Sequence, residues 1–118
     1  MEHVTGIGGV FLRSRDPEAL RGWYEANLGI AIAEWGGHPF SADRGDSTVW
    51  SIFPADSDYW PAEQQVMVNY RVGDLDAMLA QLRAAGAQVE EKVEELEYGR
   101  FGWATDPEGN RLELWQPI

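Results

Sequence analysis

Cysteine is absent from the 118 residues, which excludes disulfides, zinc–thiolate sites and thiol nucleophiles. Histidine is nearly absent: His3 and His38 are the two imidazoles in the chain. Positive charge is scarce, with 9 Lys and Arg against 20 Asp and Glu, a formal net charge of −11. Recognition of a nucleic-acid backbone needs a surplus of Lys and Arg, so no nucleic-acid partner is expected. No apolar run approaches the roughly 20 residues that cross a bilayer. The opening Met1-Glu-His-Val-Thr-Gly6 also lacks the basic and apolar regions of a secretory signal. No membrane partner and a cytoplasmic location are the expectations.

What the chain does contain is an ordinary globular composition, 44% hydrophobic with six tryptophans. The length suits one compact domain with a real core. Acidic residues crowd into Glu90, Glu91, Glu94, Glu95 and Glu97, the pattern of a solvated loop or edge. The overall negative charge serves solubility and also suits a cationic ligand.

Two helices are signalled. Asp16-Pro17 supplies an N-cap and a first-turn proline. Leu20, Trp23, Tyr24 and Leu28 follow at helical spacing up to Gly29. The second helix begins at Asp74, carries Leu75, Met78, Leu79 and Leu82 on one face, and stops at Gly86. Apolar strands precede each helix, at Gly9 to Ser14 and Val66 to Val72. Short strand-like pieces follow the first at Ala31–Trp35, Pro39–Ala42 and Ser47–Phe53. Those following the second are Ala87–Val93, Arg100–Thr105 and Asn110–Gln116.

Placing Asp16 on Asp74 gives an offset of 74 − 16 = 58. At that offset Val10-Phe-Leu-Arg-Ser-Arg-Asp16 aligns with Val68-Asn-Tyr-Arg-Val-Gly-Asp74, and the order β-α-β-β-β recurs. The expected fold class is α+β, with two tandem βαβββ modules in a single domain over residues 1–118. Module one covers about 5–54, a loop-like linker about 55–64, and module two about 65–118.

Alternate residues of a strand share a face. Val10 and Leu12, Val68, Tyr70 and Val72, and Leu112 and Leu114 are suited to pack under helices. The opposite faces carry Gly9, Phe11 and Arg13; Met67, Asn69 and Arg71; and Arg111, Glu113 and Trp115. Those faces are too polar for an ordinary core and are the expected lining of a cleft.

Three segments carry a family resemblance: Asp16-Pro-Glu-Ala-Leu-Arg-Gly-Trp-Tyr-Glu-Ala-Asn-Leu-Gly29, Val72-Gly-Asp-Leu-Asp-Ala77 and Thr105-Asp-Pro-Glu-Gly-Asn-Arg-Leu-Glu113. In order and spacing they resemble the vicinal oxygen chelate superfamily, which includes glyoxalase I, extradiol dioxygenases and bleomycin-resistance proteins. The resemblance implies that the modules curl into an open, barrel-like sheet around a cleft, often in a homodimer. It does not by itself name a reaction, since members of one fold run different chemistries.

Metal-dependent members hold a divalent ion with His, Glu or Gln from first and last strands of the modules. The resemblance places the first-strand ligands at Gly9 and Met67 and one last-strand ligand at Glu113. In module one the counterpart of Glu113 falls on Val49 or Trp50. Glycine offers no ligand, a thioether suits hard divalent ions poorly, and neither Val49 nor Trp50 binds metal. No metal site and no cofactor are expected, and each histidine reads as a surface residue.

Two roles stand open for Glu113. It serves as a general base if desolvated, or it forms a salt bridge to Arg71, Arg13 or Arg111. Aromatic faces suit planar or cationic ligands, which adds Trp50, Trp103 and Trp115 to the candidate lining. The expected ligand-binding set is Phe11, Arg13, Trp50, Met67, Asn69, Arg71, Trp103, Arg111 and Trp115. The leading expectation is metal-independent binding of a small molecule, such as sequestration of an antibiotic or another cationic or aromatic compound. The competing one is a lyase or dioxygenase-type enzyme of the same superfamily that uses Glu113, with or without a divalent metal.

Overall fold

The computed structural model describes residues 1–28, 30–42 and 45–118, with the side chains of Trp23, Asn27 and Leu28 outside the description. The expected helix stop at Gly29 and the expected core placement of Trp23 therefore lie outside the described residues. The chain is α+β. Its elements run β1 Val4–Ser14, α1 Pro17–Leu28, β2 Gly37–Ser41, β3 Ser47–Pro54, β4 Val66–Val72, α2 Leu75–Ala84, β5 Gln88–Val89, β6 Glu94–Leu96, β7 Gly99–Thr105 and β8 Arg111–Pro117. No described helix is long and apolar enough to cross a membrane.

The chain divides into two compact units. The first is Gly9–Met67; the second joins Met1–Gly8 to Val68–Ile118. The division falls inside β1, so the N-terminal half of that strand belongs with the second module.

In the first unit the strand order is β2-β3-β1. Strands β1 and β3 are parallel, with Gly9 opposite Val49, Phe11 opposite Ser51 and Arg13 opposite Phe53. Antiparallel β2 places Gly37 opposite Ser51 and His38 opposite Trp50. Helix α1 starts as its sequence dictates: Asp16 Oδ1 accepts the Ala19 N–H at 3.1 Å, satisfying one of the orphan donors of the first turn. Ala31–Trp35, expected as a strand, is loop and turn instead. Backbone bonds Ala33 N–H to Gly37 O (2.8 Å) and Gly36 N–H to Ala33 O (3.0 Å) close that turn, and the strand begins only at Gly37.

In the second unit the order is β1-β4-β8-β7-β5, with β6 also on β7. The predicted second helix is present, with Asp74 Oδ1 accepting Ala77 N–H at 3.0 Å. Gly86 follows it at φ 82°, a conformation that glycine adopts without a Cβ penalty. Of the expected Ala87–Val93 strand, Gln88–Val89 forms as β5, and residues 90–93 are loop leading to β6 at Glu94–Leu96. The β7–β8 hairpin turns through Asp106-Pro-Glu-Gly109. Asp106 Oδ1 accepts the N–H of Glu108 and of Asn110, both at 2.9 Å, and Gly109 takes φ 89°. The Asn110 side-chain amide is the main reason the Asp106 carboxyl titrates below the ordinary range, helped by the backbone donors.

The faces follow the predicted parity. Under α2, Val72, Leu75, Met78, Leu79 and Leu114 form one apolar cluster, flanked by Tyr70, Leu82 and Leu112. A second cluster lies in the first unit, where Phe11, Trp60 and Met67 pack with Val49, Phe53 and Tyr59. This one sits on the β1 face away from the helix.

Candidate ligand site

The β4 and β8 strands of the second unit run parallel, with Asn69 opposite Glu113 and Arg71 opposite Trp115. Antiparallel β7 places Trp103 opposite Glu113. Register alone thus gathers an amide, a carboxylate and an indole on one face. Glu113 is only 2% exposed. Its Oε1 accepts Asn69 Nδ2 at 2.7 Å and its Oε2 accepts Trp103 Nε1 at 3.0 Å. Hydrogen bonds to an ionised acceptor are stronger than neutral ones, so these two donors hold the buried carboxylate in one orientation.

The arginines expected opposite Glu113 have other prominent partners. Arg13 donates from Nη1 to the carbonyls of Ala55 (3.0 Å) and Ser57 (2.9 Å), and from Nη2 to those of Trp60 (2.9 Å) and Pro61 (3.2 Å). Arg71 Nη2 donates to Ile7 O at 3.1 Å. Arg111 forks onto Glu90, with Nε at 2.8 Å and Nη2 at 2.7 Å, and covers the Trp103 ring at 5.0 Å. The Arg111 hydrogen bond is the main cause that lowers the Glu90 pKa, against opposing desolvation.

The N-terminal strand closes in on the network. A Cβ built at Gly8 would lie 1.9 Å from Asn69 Oδ1 and 2.9 Å from Trp115 Cε3. Only a glycine lets the strand approach the amide this closely. Among the described residues Asn69 Oδ1 has no hydrogen-bond partner although the residue is buried. Trp115 stacks on Phe101 at 5.9 Å with an interplanar angle of 3° and donates Nε1 to Tyr98 O at 3.0 Å.

Asn69, Arg71, Trp103, Arg111, Glu113 and Trp115 of the expected set fall in this second unit, and Phe11, Arg13 and Met67 in the first. Trp50 does not share the face of Phe11 and Arg13. It pairs with Val10, so alternation turns it to the helix side, where Tyr24 of α1 meets it edge-on at 4.8 Å. The module-one counterpart of Glu113 also differs from expectation. Asn69 pairs with Glu113 as Phe11 (69 − 58 = 11) pairs with Ser51, so the equivalent residue is buried Ser51 rather than Val49 or Trp50.

The donor set that a divalent ion would need can be tested position by position. At Gly9 an added Cβ would meet Val49 O at 2.7 Å and Phe11 Cε1 at 2.9 Å. Met67 is fully buried among Phe11 and Trp60. Ser51 brings a hydroxyl, and both oxygens of Glu113 already accept hydrogen bonds. Among the described residues no group of three or more His, Asp or Glu side chains converges. These residues do not fit such an ion.

Sequence reasoning missed three participants. Ser51 was obscured by aligning on turn residues rather than on register. Gly8 had a visible signal, since glycine inside a strand marks close approach. Trp60 had none, because the polar linker around it reads as solvated loop.

A glyoxalase-like domain family model matches residues 9–115. Methylmalonyl-CoA epimerase from Mycobacterium tuberculosis is similar in structure at TM-score 0.70 and 23% identity, covering 98% of this chain and 89% of that one. The Streptomyces coelicolor methylmalonyl-CoA epimerase in complex with 2-nitronate-propionyl-CoA matches at TM-score 0.74 and 18% identity, with 98% and 99% coverage. A glyoxalase/bleomycin resistance protein/dioxygenase superfamily member from Vibrio splendidus 12B01 matches at TM-score 0.62 and 14% identity, with 98% and 99% coverage. At these identities the structural likeness speaks to the fold alone. No curated protein matches the sequence. With the family model spanning nearly the whole chain, this protein belongs to the glyoxalase-like domain family.

Proposed function

We propose that this is a metal-independent glyoxalase-like protein that binds a small organic molecule on a strand face turned away from the helix of its own unit. One observation carries the reading. Arg13, Ser51, Asn69, Arg71 and Glu113 are all buried on such faces, while the face under α2 already supplies an apolar core. Burying charged and polar groups is costly unless each is paired. Each unit keeps one polar atom with no partner among the described residues, Arg13 Nε in the first and Asn69 Oδ1 in the second, the condition in which that unit's face still has hydrogen-bonding capacity for a ligand.

Metal analysis after chelator-free purification, combined with a thermal-shift screen, tests both halves. The expected result is no stoichiometric divalent ion and at least one compound class that raises Tm; a ligand at 100 Kd adds about 2.7 kcal/mol. A bound ion lost in Glu113→Ala would overturn metal independence. A broad library without a single stabilising compound would overturn binding. A homodimer, suggested by the superfamily resemblance, belongs to the same proposal and is checked by sedimentation.

The burial of Glu113 favours a second reading, an enzyme in which this carboxylate moves a proton. The same screen separates the two: turnover of a bound compound that disappears in Glu113→Gln while binding persists would establish the enzyme.

A further inference from the structure

The linker tryptophan stands where a ligand would. Trp60 belongs to a segment with neither helix nor strand between β3 and β4, yet it is 2% exposed. Its indole meets Phe53 edge-on at 4.9 Å and Phe11 at 6.4 Å. The Arg13 guanidinium lies over the ring at 4.7 Å, and Met67 completes the apolar wall. The ring N–H donates to Gln64 O at 2.7 Å. Apolar walls and a cation over the π face make a recognition site for a planar aromatic molecule, while the acceptor at the ring edge belongs to the linker itself.

The second unit shows why this indole is foreign to its site. There Trp103 of β7 stands opposite Glu113. The corresponding position of the first unit, opposite Ser51, is Gly37 of β2, and its Cβ would fall 2.0 Å from Trp50 O. The strand cannot supply a ring, so the linker does.

We propose that Trp60 is an internal ligand, and that residues 55–65 form a strap latched by Arg13 over a site for planar aromatic molecules. This rests on the binding reading above and gives it a substrate class. One side chain is the main polar anchor of the strap, beside its rings Trp60 and Tyr59, the latter stacked on Phe53 at 5.5 Å. Four carbonyls of the strap converge on Arg13 (Ala55, Ser57, Trp60 and Pro61), and Gln65 Nε2 donates back to Arg13 O at 2.9 Å. Side-chain attachments without a strand ladder place a segment at the low-stability end of a fold. An outside ring that takes the slot binds the strap-open state, and its apparent affinity is reduced by the fraction of time that state is populated.

Hydrogen exchange of the wild-type protein with and without indole tests this directly. Indole should expose the amides of residues 55–65 while those of Val49 and Ile52 stay protected. Arg13→Met, which keeps the stem but removes both the latch and the cation over the ring, should speed exchange of the strap amides about tenfold without indole, by populating the open state. In Trp60→Ala, indole should raise Tm by several degrees, with Trp35→Ala, an exposed control, responding like the wild type. Unchanged strap exchange at the solubility limit of indole overturns the proposal without any variant having to fold. Library compounds that stabilise the wild type without altering strap exchange overturn the strap and leave the binding reading intact. Strap opening by indole with no compound of any other class binding supports the strap and narrows that reading to aromatic molecules.

Discussion

The two units present the same backbone register with opposite chemistry. Positions 58 apart pair Gly9 with Met67, Phe11 with Asn69, and Arg13 with Arg71. Across the parallel strands, Ser51 answers to Glu113 and Phe53 to Trp115. In the first unit this face is filled by rings, one of them from the linker. In the second it holds a carboxylate between an amide and an indole. The strand scaffold therefore dictates where side chains converge, and the residue types decide whether the convergence is packed or polar.

The largest predicted effect contrasts the two indoles. Trp60→Ala removes packing, the Arg13 contact over the ring and a bond to the half-buried Gln64 carbonyl, and should cost about 3–5 kcal/mol, the usual range for a buried aromatic. Trp103→Ala removes comparable packing and also leaves Glu113 Oε2 without its donor. Loss of a donor to a buried carboxylate adds about 1–3 kcal/mol. Urea unfolding of both variants should place Trp103→Ala below Trp60→Ala; the reverse order would mean that the Trp103–Glu113 bond contributes little.

The next contrast is between the two last-strand residues. Glu113→Leu orphans the Asn69 and Trp103 donors together, at about 1–3 kcal/mol each. Glu113→Gln should cost far less. The new amide accepts from Trp103 through oxygen and donates to Asn69, whose own amide reverses to offer Oδ1. Ser51→Ala in the first unit should cost no more than about 1 kcal/mol, the net value of one ordinary hydrogen bond. Equal losses for Glu113→Leu and Ser51→Ala would erase the distinction between a polar and a packed face.

Gly8→Ala probes how tightly the N-terminal strand is held against Asn69. Its Cβ would lie 1.9 Å from Asn69 Oδ1, and overpacking of this kind costs about 1–3 kcal/mol. Asn69→Ala in the same chain should recover part of that loss, because it removes the obstructing atom. The interaction energy of this double-mutant cycle is the readout, and additive losses would show that the strand yields elsewhere.

Much of this was legible in the sequence. The caps at Asp16 and Asp74, the apolar stripe of α2 and the Asp106–Asn110 turn are local chemistry, and each appears where residue type and spacing place it. Strand parity correctly sorted Leu112 and Leu114 from Glu113. Trp50 escaped that sorting because its strand was aligned by turn residues, and one residue of slip exchanges the two faces. The partners of Glu113 and the burial of Trp60 are set by contacts between distant segments. Nothing in the composition of a linker announces that four of its carbonyls meet one arginine.

The smallest predicted effect concerns the edge of the polar face. Glu90 pairs with Arg111, whose guanidinium lies over Trp103, so this ion pair backs the second unit only. The Glu90 carboxyl titrates below its ordinary value of 4.5, chiefly through the Arg111 hydrogen bond. A depressed folded-state pKa means that the unfolded chain binds the proton first on acidification. The contribution is therefore complete above the ordinary carboxylate range and is lost as pH falls from about 4.5 through the lower folded value. With Glu90 41% and Arg111 19% exposed, solvent screening keeps it to roughly 0.5–1 kcal/mol. Urea midpoints between pH 7 and 3 should drop less steeply in Glu90→Gln than in the wild type. Identical slopes would show that Arg111 is held by its stacking on Trp103 and that the carboxylate adds nothing to the fold.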